Sequence, residues 1–190
     1  MSENSKPVVV YRSKTGFTKN YAQWIAEELK CDLLEGGKTT VKDLMKYDTI
    51  IYGAGLYASG ISGVKIITKN YDVLMEKKLI VFAVGASPAR EETVQTLRTS
   101  NFKGELKDKV HFYYLRGGFD YSRLSSLYRF LMTLKRLQLK GMKNPDADVK
   151  GMLASYDHPL DFTEKKNVNP IVRDVLEGQN LSTSMAEVLG

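Results

Sequence analysis

The chain has 190 residues, 43% of them hydrophobic and 26% charged, with 28 basic against 22 acidic side chains for a net charge of +6. This composition supports one globular domain with a real core over 1–190 and excludes wholesale disorder. No apolar run approaches the ~18 residues of a spanning helix, Met1 to Pro7 is polar and unlike a secretory signal, and one cysteine with two histidines makes neither a disulfide framework nor an expected metal site, so a reducing, cytoplasmic setting is expected.

Strands and helices alternate along the chain. Val8 to Tyr11 is a β-branched run expected to be a buried strand. Tyr21, Trp24, Ile25 and Leu29 then recur at helical spacing. Cys31 to Leu34 is a weaker strand, with Cys31 expected as a small core residue. Val41 to Tyr47 reads as one or two helical turns, and Thr49 to Gly53 as a central strand. Ser62 to Met75 is expected to be a helix, although its Val-Ile-Ile content disfavours one. Leu79 to Val84 is a buried strand, Glu91 to Thr99 a short polar helix, and Val110 to Leu115 the fifth strand.

Beyond the fifth strand the pattern changes. Leu124 to Met142 is long, basic and apolar, and Asn144 to Asp148 is a turn-rich break. A last helix is expected after Asp161 and Glu164, which have capping-box spacing, with Gly178 as its stop. Pro170 should kink or restart it, with Asn169 as a new cap. The tail from Gln179 to Gly190 has no strong pattern. Five strands alternating with helices imply an α/β fold, a parallel sheet covered on both faces. Ligands of such sheets bind beyond the carboxyl ends of the strands, where the strand order reverses.

The loop after the first strand reads Ser13-Lys14-Thr15-Gly16-Phe17-Thr18 and leads into a helix. Free amides and the positive end of a helix make an anion site there. Three hydroxyls add donors without adding charge, and Gly16 lets an oxygen approach the backbone. Ordinary capping would need one such residue, not three, so the loop is read as a phosphate site. It is not a P-loop, because G-x-x-x-x-G-K-S/T is absent. Nor is it an ordinary dinucleotide fold, because G-x-G-x-x-G is absent from this turn.

This loop matches the flavodoxin pattern Ser/Thr-x-Thr-Gly-x-Thr at every fixed place, and the chain resembles the flavodoxin superfamily over residues 8–180. The resemblance implies a three-layer sandwich, a five-stranded parallel sheet of order 2-1-3-4-5, and FMN as cofactor. That order is the family's own, carried over rather than read from the residues. Within the superfamily the chain looks most similar to the flavodoxin-like, menaquinone-dependent protoporphyrinogen dehydrogenases. The residues that suggest it are Gly53-Ala54-Gly55-Leu56-Tyr57 after the third strand, Leu115-Arg116 with Phe119-Asp120-Tyr121 after the fifth, and a basic helical insert over 119–150.

An isoalloxazine ring needs apolar faces and a few polar groups at its edge. Gly55, Leu56, Tyr57, Ala58 and Gly60 are the first expected wall, with Tyr57 suited to stacking. Ala86 and Ser87 are the second, and Gly117 and Gly118 a third candidate that is otherwise only a turn. No acid, base or nucleophile declares itself; His111, His158 and Cys31 read as structural or surface residues.

The insert from Tyr121 to Lys143 carries Arg123, Arg129, Lys135, Arg136, Lys140 and Lys143 and no acid. Leu124, Leu127, Leu131 and Leu134 share one helical face, the profile of a basic amphipathic helix. Peripheral membrane contact through 123–143, an acidic partner, a carboxylated substrate met by Arg116, Tyr121, Arg123 or Arg129, and a helix merely docked on its own domain all remain open. Nucleic acid is disfavoured, because no recognition motif accompanies the charge. Two functions follow from the resemblance: an FMN-dependent oxidoreductase with a quinone acceptor, or a flavodoxin-type electron carrier without a small-molecule substrate. A flavodoxin fold that binds no flavin is the third reading, opposed by the intact phosphate loop.

Overall fold

The computed structural model describes residues 6–57 and 59–178. The chain runs β1 (Pro7–Arg12), α1 (Phe17–Leu29), β2 (Asp32–Glu35), α2 (Val41–Leu44), β3 (Thr49–Tyr57), β4 (Gly60–Ile61), α3 (Lys65–Thr68), α4 (Tyr71–Leu74), β5 (Lys78–Gly85), α5 (Glu91–Asn101), α6 (Leu106–Lys109) and β6 (Val110–Arg116). It continues through β7 (Gly118–Phe119), a 3-10 turn (Tyr121–Arg123), α7 (Ser126–Lys140), α8 (Ala147–Ala154), β8 (Leu160–Asp161), a second 3-10 turn (Lys165–Val168) and helical residues 169–178, α9.

The main sheet has the order β2-β1-β3-β5-β6, and these five strands are parallel. Counting them in sequence, this is the expected 2-1-3-4-5. The order reverses at β1, whose neighbours are β2 and β3, so a crevice opens beyond the carboxyl ends of β1 and β3.

Strand alternation divides the core between two faces. Val8, Val10, Ile50, Tyr52, Val81 and Ala83 pack with Leu44, Ile67, Leu74 and Phe102 on one side. Val9, Ile51, Ile80 and Phe82 pack with Tyr21 and Ile25 of α1 and Ile171 and Val175 of α9 on the other. Both faces are covered, which is why these strands read as continuous apolar runs. Cys31 lies just before β2, half-buried against the second cluster. Burial, and then the charge of Asp32, push its thiol up to about 11, so it is inert at neutral pH.

Several local expectations are corrected. Residues 62–75 form two single turns, α3 and α4, separated by Asn70. The β-branched Val64-Lys65-Ile66-Ile67 segment favours no long helix, and the Asn70 amide donates to Ile66 O and ends the first turn. The third strand continues to Tyr57 and turns back antiparallel as β4, so most of the expected loop is a hairpin. The turn-rich break is followed by the unanticipated α8, whose first amides Asp146 caps by accepting from Val149 N.

At the end of the chain Asp161 and Glu164 form no capping box. Asp161 accepts from Thr163 N instead, an Asx turn next to β8. Asn169 is already helical (φ −53°, ψ −41°) and is no cap. Pro170 sits in the first turn of α9, where a missing N–H is tolerated. The expected stop at Gly178 falls at the edge of the described residues, and the tail lies outside them.

Candidate functional site

The loop between β1 and α1 is shaped by one hydrogen bond and one backbone angle. The Gly16 amide donates to Ser13 Oγ at 3.1 Å, which closes the turn. Gly16 itself has φ +98°, a value an L-side chain rarely adopts, and it is the residue that starts α1. No side chain caps α1, and its first turn carries no acid. Its leading amides and its positive end therefore face the loop with no side-chain cap and no acid of their own turn, as an anion requires. Thr18 is buried, 3% exposed, and its Oγ1 lies 3.8 Å from where a Cβ on Gly55 would stand. The start of α1 and the end of β3 are thus adjacent walls.

Positive charge gathers at the same place. Arg123 Nη1 donates to Thr15 O at 3.3 Å and approaches Gly16. Its Nε pairs with Asp120 at 2.9 Å. The Ser122 hydroxyl and amide, together with Arg123, hold the Asp120 carboxyl below the ordinary range against the opposing effect of burial. Lys14 Nζ sits 4.6 Å from the ring centre of Tyr57 and 3.8 Å from that of Tyr128, a cation packed against two neighbouring aromatic rings. Tyr57 and Tyr128 are 4.7 Å apart at their centres. Burial, then Tyr128, raise the Tyr57 phenol, which stays neutral.

The β5–α5 turn is the second wall. Tyr114 OH donates to Ser87 O at 2.7 Å and Arg116 Nε to Ala86 O at 3.3 Å, so β6 braces this turn. A cavity of about 540 Å³ opens beside it, lined by Leu56, Gly85, Ala86, Ser87, Thr93 and Tyr114 among others. That volume lies in the range of cofactor and ligand sites.

Gly117 and Gly118 serve close packing. A Cβ on Gly118 would stand 2.1 Å from Leu160 O and 2.7 Å from the Phe17 ring. The antiparallel pair β7–β8 passes directly over Phe17 and needs that space. Gly117 donates to Gly85 O at 2.8 Å and ties β7 to the second wall. Gly60 begins β4 at the rim, and Ala58 lies outside the described residues.

The four expected partner residues are engaged within the fold. The Arg116 guanidinium stacks on Phe162 at 3.6 Å. Tyr121 OH is 2.6 Å from Thr133 Oγ1, and Arg129 donates to Ser122 O at 2.8 Å. Tyr121 and Arg129 fasten the insert, whereas Arg123 reaches the phosphate loop and remains 61% exposed. Sequence reading overlooked Tyr128 and Phe162 as site neighbours. Tyr128 carries a faint signal, an aromatic ring at the edge of the insert helix's leucine stripe, one turn from Leu131; Phe162 carries none.

A flavodoxin-domain family model matches residues 8–146. The chain belongs to the flavodoxin domain family. The family's fold is that of an FMN-binding flavoprotein. The residues present suit that group's phosphate: uncapped amides at a left-handed glycine, neighbouring hydroxyls and two cations. The cavity beside the β5–α5 turn includes Leu56, Ala86 and Ser87 of the expected ring walls but no residue of the 13–18 loop. No curated protein matches the chain. Among solved structures, the Trp repressor binding protein from Bacillus subtilis is 14% identical, covering 73% of this chain and 99% of its own at TM-score 0.45. Two-electron reduced flavodoxin from Megasphaera elsdenii is 18% identical over 58% and 85% at 0.40. A flavoprotein in complex with FMN from Lactobacillus acidophilus is 18% identical over 59% and 93% at 0.40. In this flavodoxin domain the match ends at residue 146, so α8, β8 and α9 lie beyond the matched segment.

Proposed function

We propose that this flavodoxin domain is an FMN-dependent oxidoreductase acting on a reduced organic substrate, with a quinone as electron acceptor. The observation that carries the reading is the insert folded onto the phosphate loop, with Arg123 on Thr15 O and Tyr128 over Lys14 and Tyr57. A carrier that serves protein partners works with its redox edge open to them; a helical arm at the mouth suits a small reactant held away from water. Each cycle moves two electrons and two protons: the substrate loses two hydrogens and the quinone becomes a quinol. Resemblance to the protoporphyrinogen dehydrogenases makes a porphyrinogen the substrate to test.

FMN, when bound, supplies the redox chemistry. The chain's own residues bind and orient. The first amides of α1 and the hydroxyls of Thr15 and Thr18 hold the phosphate, and Lys14 and Arg123 offset its charge. Leu56 and Tyr57 wall one side, and the turn braced by Tyr114 and Arg116 walls the other. Arg123, at the exposed rim, also suits a carboxylate on the incoming substrate.

The test is anaerobic mixing of FMN-loaded protein with protoporphyrinogen, followed by a soluble menaquinone analogue. The flavin absorbance should bleach with the first and recover with the second. Tyr128→Ala should lower kcat/KM about tenfold at saturating FMN, a loss of about 1.4 kcal/mol. FMN-loaded protein that no organic donor reduces, but that exchanges electrons with a flavoprotein reductase, would make it a carrier instead.

A further inference from the structure

The helix α7 exposes the wrong side for a helix that merely docks on its domain. Its inward contacts are made by Tyr128, Met132, Arg136 and Leu139: Tyr128 on Tyr57, Met132 O accepting from Tyr156 OH, Arg136 pairing with Asp157, and Leu139 buried at 6% exposure. Leu127, Phe130, Leu131, Leu134 and Leu137 are 65%, 61%, 48%, 48% and 62% exposed. At roughly 100° per residue these five fall in one arc of about 120°, on the side facing away from the fold. The expected face of 124, 127, 131 and 134 is therefore mostly the outer one, with only Leu124 half-buried. So large a contiguous apolar surface marks an interaction site.

Charge identifies the occupant. Exposed Lys135 and Lys140 flank the stripe on the helix, exposed Lys143 follows three residues past its end, and no acidic residue occurs from 121 to 143. The flanking acids Asp120, Asp146 and Asp157 are engaged, with Arg123, with the α8 N-terminus and with Arg136. A second copy laid on this stripe would bring like-charged lysine rims together, which opposes self-association. An anionic lipid surface offers an apolar layer for the stripe and negative headgroups for the rim. No helix among the described residues is long and apolar enough to cross a membrane, so the contact is interfacial.

We infer that α7 is a membrane-surface anchor that seats the protein on anionic phospholipid, with the Leu127–Leu137 stripe in the acyl boundary and the three lysines at the headgroups. The cofactor need not be bound for this, so the inference stands or falls separately from the proposed chemistry. Because Tyr128, on the inner side of the same helix, touches Tyr57 and Lys14, the seated protein holds the mouth of its site beside the lipid.

The test is flotation of the full chain with vesicles of phosphatidylcholine containing phosphatidylglycerol, against vesicles of phosphatidylcholine alone. Binding to the anionic vesicles only is expected, and it should weaken as salt shortens the screening length. Phe130→Ser with Leu134→Ser should reduce it at least tenfold. Lys140→Glu and Lys143→Glu should each reduce it at least fivefold. All these positions are exposed, so the variants should unfold at the wild-type temperature. Failure to float with anionic vesicles, flotation unaffected by the serine pair, or a concentration-dependent dimer abolished by that pair without lipid binding would each overturn the inference. The last would make a second copy the occupant.

Discussion

Gly16 is the residue on which the phosphate loop turns. Alanine there must hold φ near +98° and bring its Cβ to 3.4 Å from Arg123. Gly16→Ala should cost about 1 kcal/mol of stability or more, read as a lower midpoint in urea unfolding, and should weaken FMN binding as the loop shifts. Gly118→Ala should cost more, about 3 kcal/mol, because the clash at 2.1 Å is with the backbone of Leu160. Gly151, inside α8, meets nothing within 4 Å of a new Cβ, so Gly151→Ala should stabilise by about 0.5–1 kcal/mol. The phosphate loop was legible because its signal is local: hydroxyls and a glycine between a strand and a helix are contiguous in the chain. The role of Gly118 was not, since its partner Leu160 lies over forty positions away and nothing near Gly118 announces it. Arg129 looked available for a substrate for the same reason: its acceptors are backbone carbonyls, which a sequence does not display.

Among the elements, α9 is held at the far end of the sheet from the site by a compact polar cluster. Asp174 pairs with Lys78 at 2.7 Å, accepts from Tyr113 OH at 2.8 Å, and lies 2.7 Å from His111 Nδ1. Burial alone would raise its carboxyl, but Lys78, Tyr113 and His111 outweigh it and hold the group below its ordinary value. A depressed carboxyl contributes stability above its unfolded value and loses it as pH falls through the folded one. The docking of α9 should therefore weaken below the ordinary carboxylate range. Asp174→Asn should remove that part of the acid dependence and cost about 2 kcal/mol at neutral pH, measured by urea unfolding across pH. His111 reads from sequence as a structural or surface residue, and it is both: half-exposed, with its Nδ1 on Asp174. The β-branched content of 64–67 already counted against one long helix over 62–75; what the sequence does not show is that the Asn70 side chain turns back to Ile66 O and separates α3 from α4. The helix α8 was hidden behind a Pro-Asp-Ala-Asp stretch whose first aspartate turned out to be its cap.

At the scale of the molecule, one physical arrangement gathers distant residues into one place. Parallel strands end together, so Thr15, Tyr57, Ala86 and Arg116 stand along one edge of the sheet although they are spread over a hundred positions. The five strands of the main sheet and the helix α1 were legible from periodicity, whereas the short strands β4, β7 and β8 and the helix α8 were not, and the strand order followed once the family was identified. What remained illegible was how the insert returns. The Arg123–Thr15 contact spans 108 positions, and no local pattern encodes it. The sheet and α1 form the binding frame, and the insert carries two surfaces: an inner one on the loop and an outer apolar one bordered by lysines. The central claim is that the loop at α1 holds FMN through its phosphate. The direct measurement is a fluorescence titration of FMN with the full chain and with its Thr15→Val, Thr18→Val double variant. Losing two hydroxyl hydrogen bonds to an anion, at about 1.5–3 kcal/mol each, predicts binding weakened at least a hundredfold in a variant that stays folded. Undiminished affinity in the double variant, or no binding by the wild-type chain at micromolar FMN, would contradict the account.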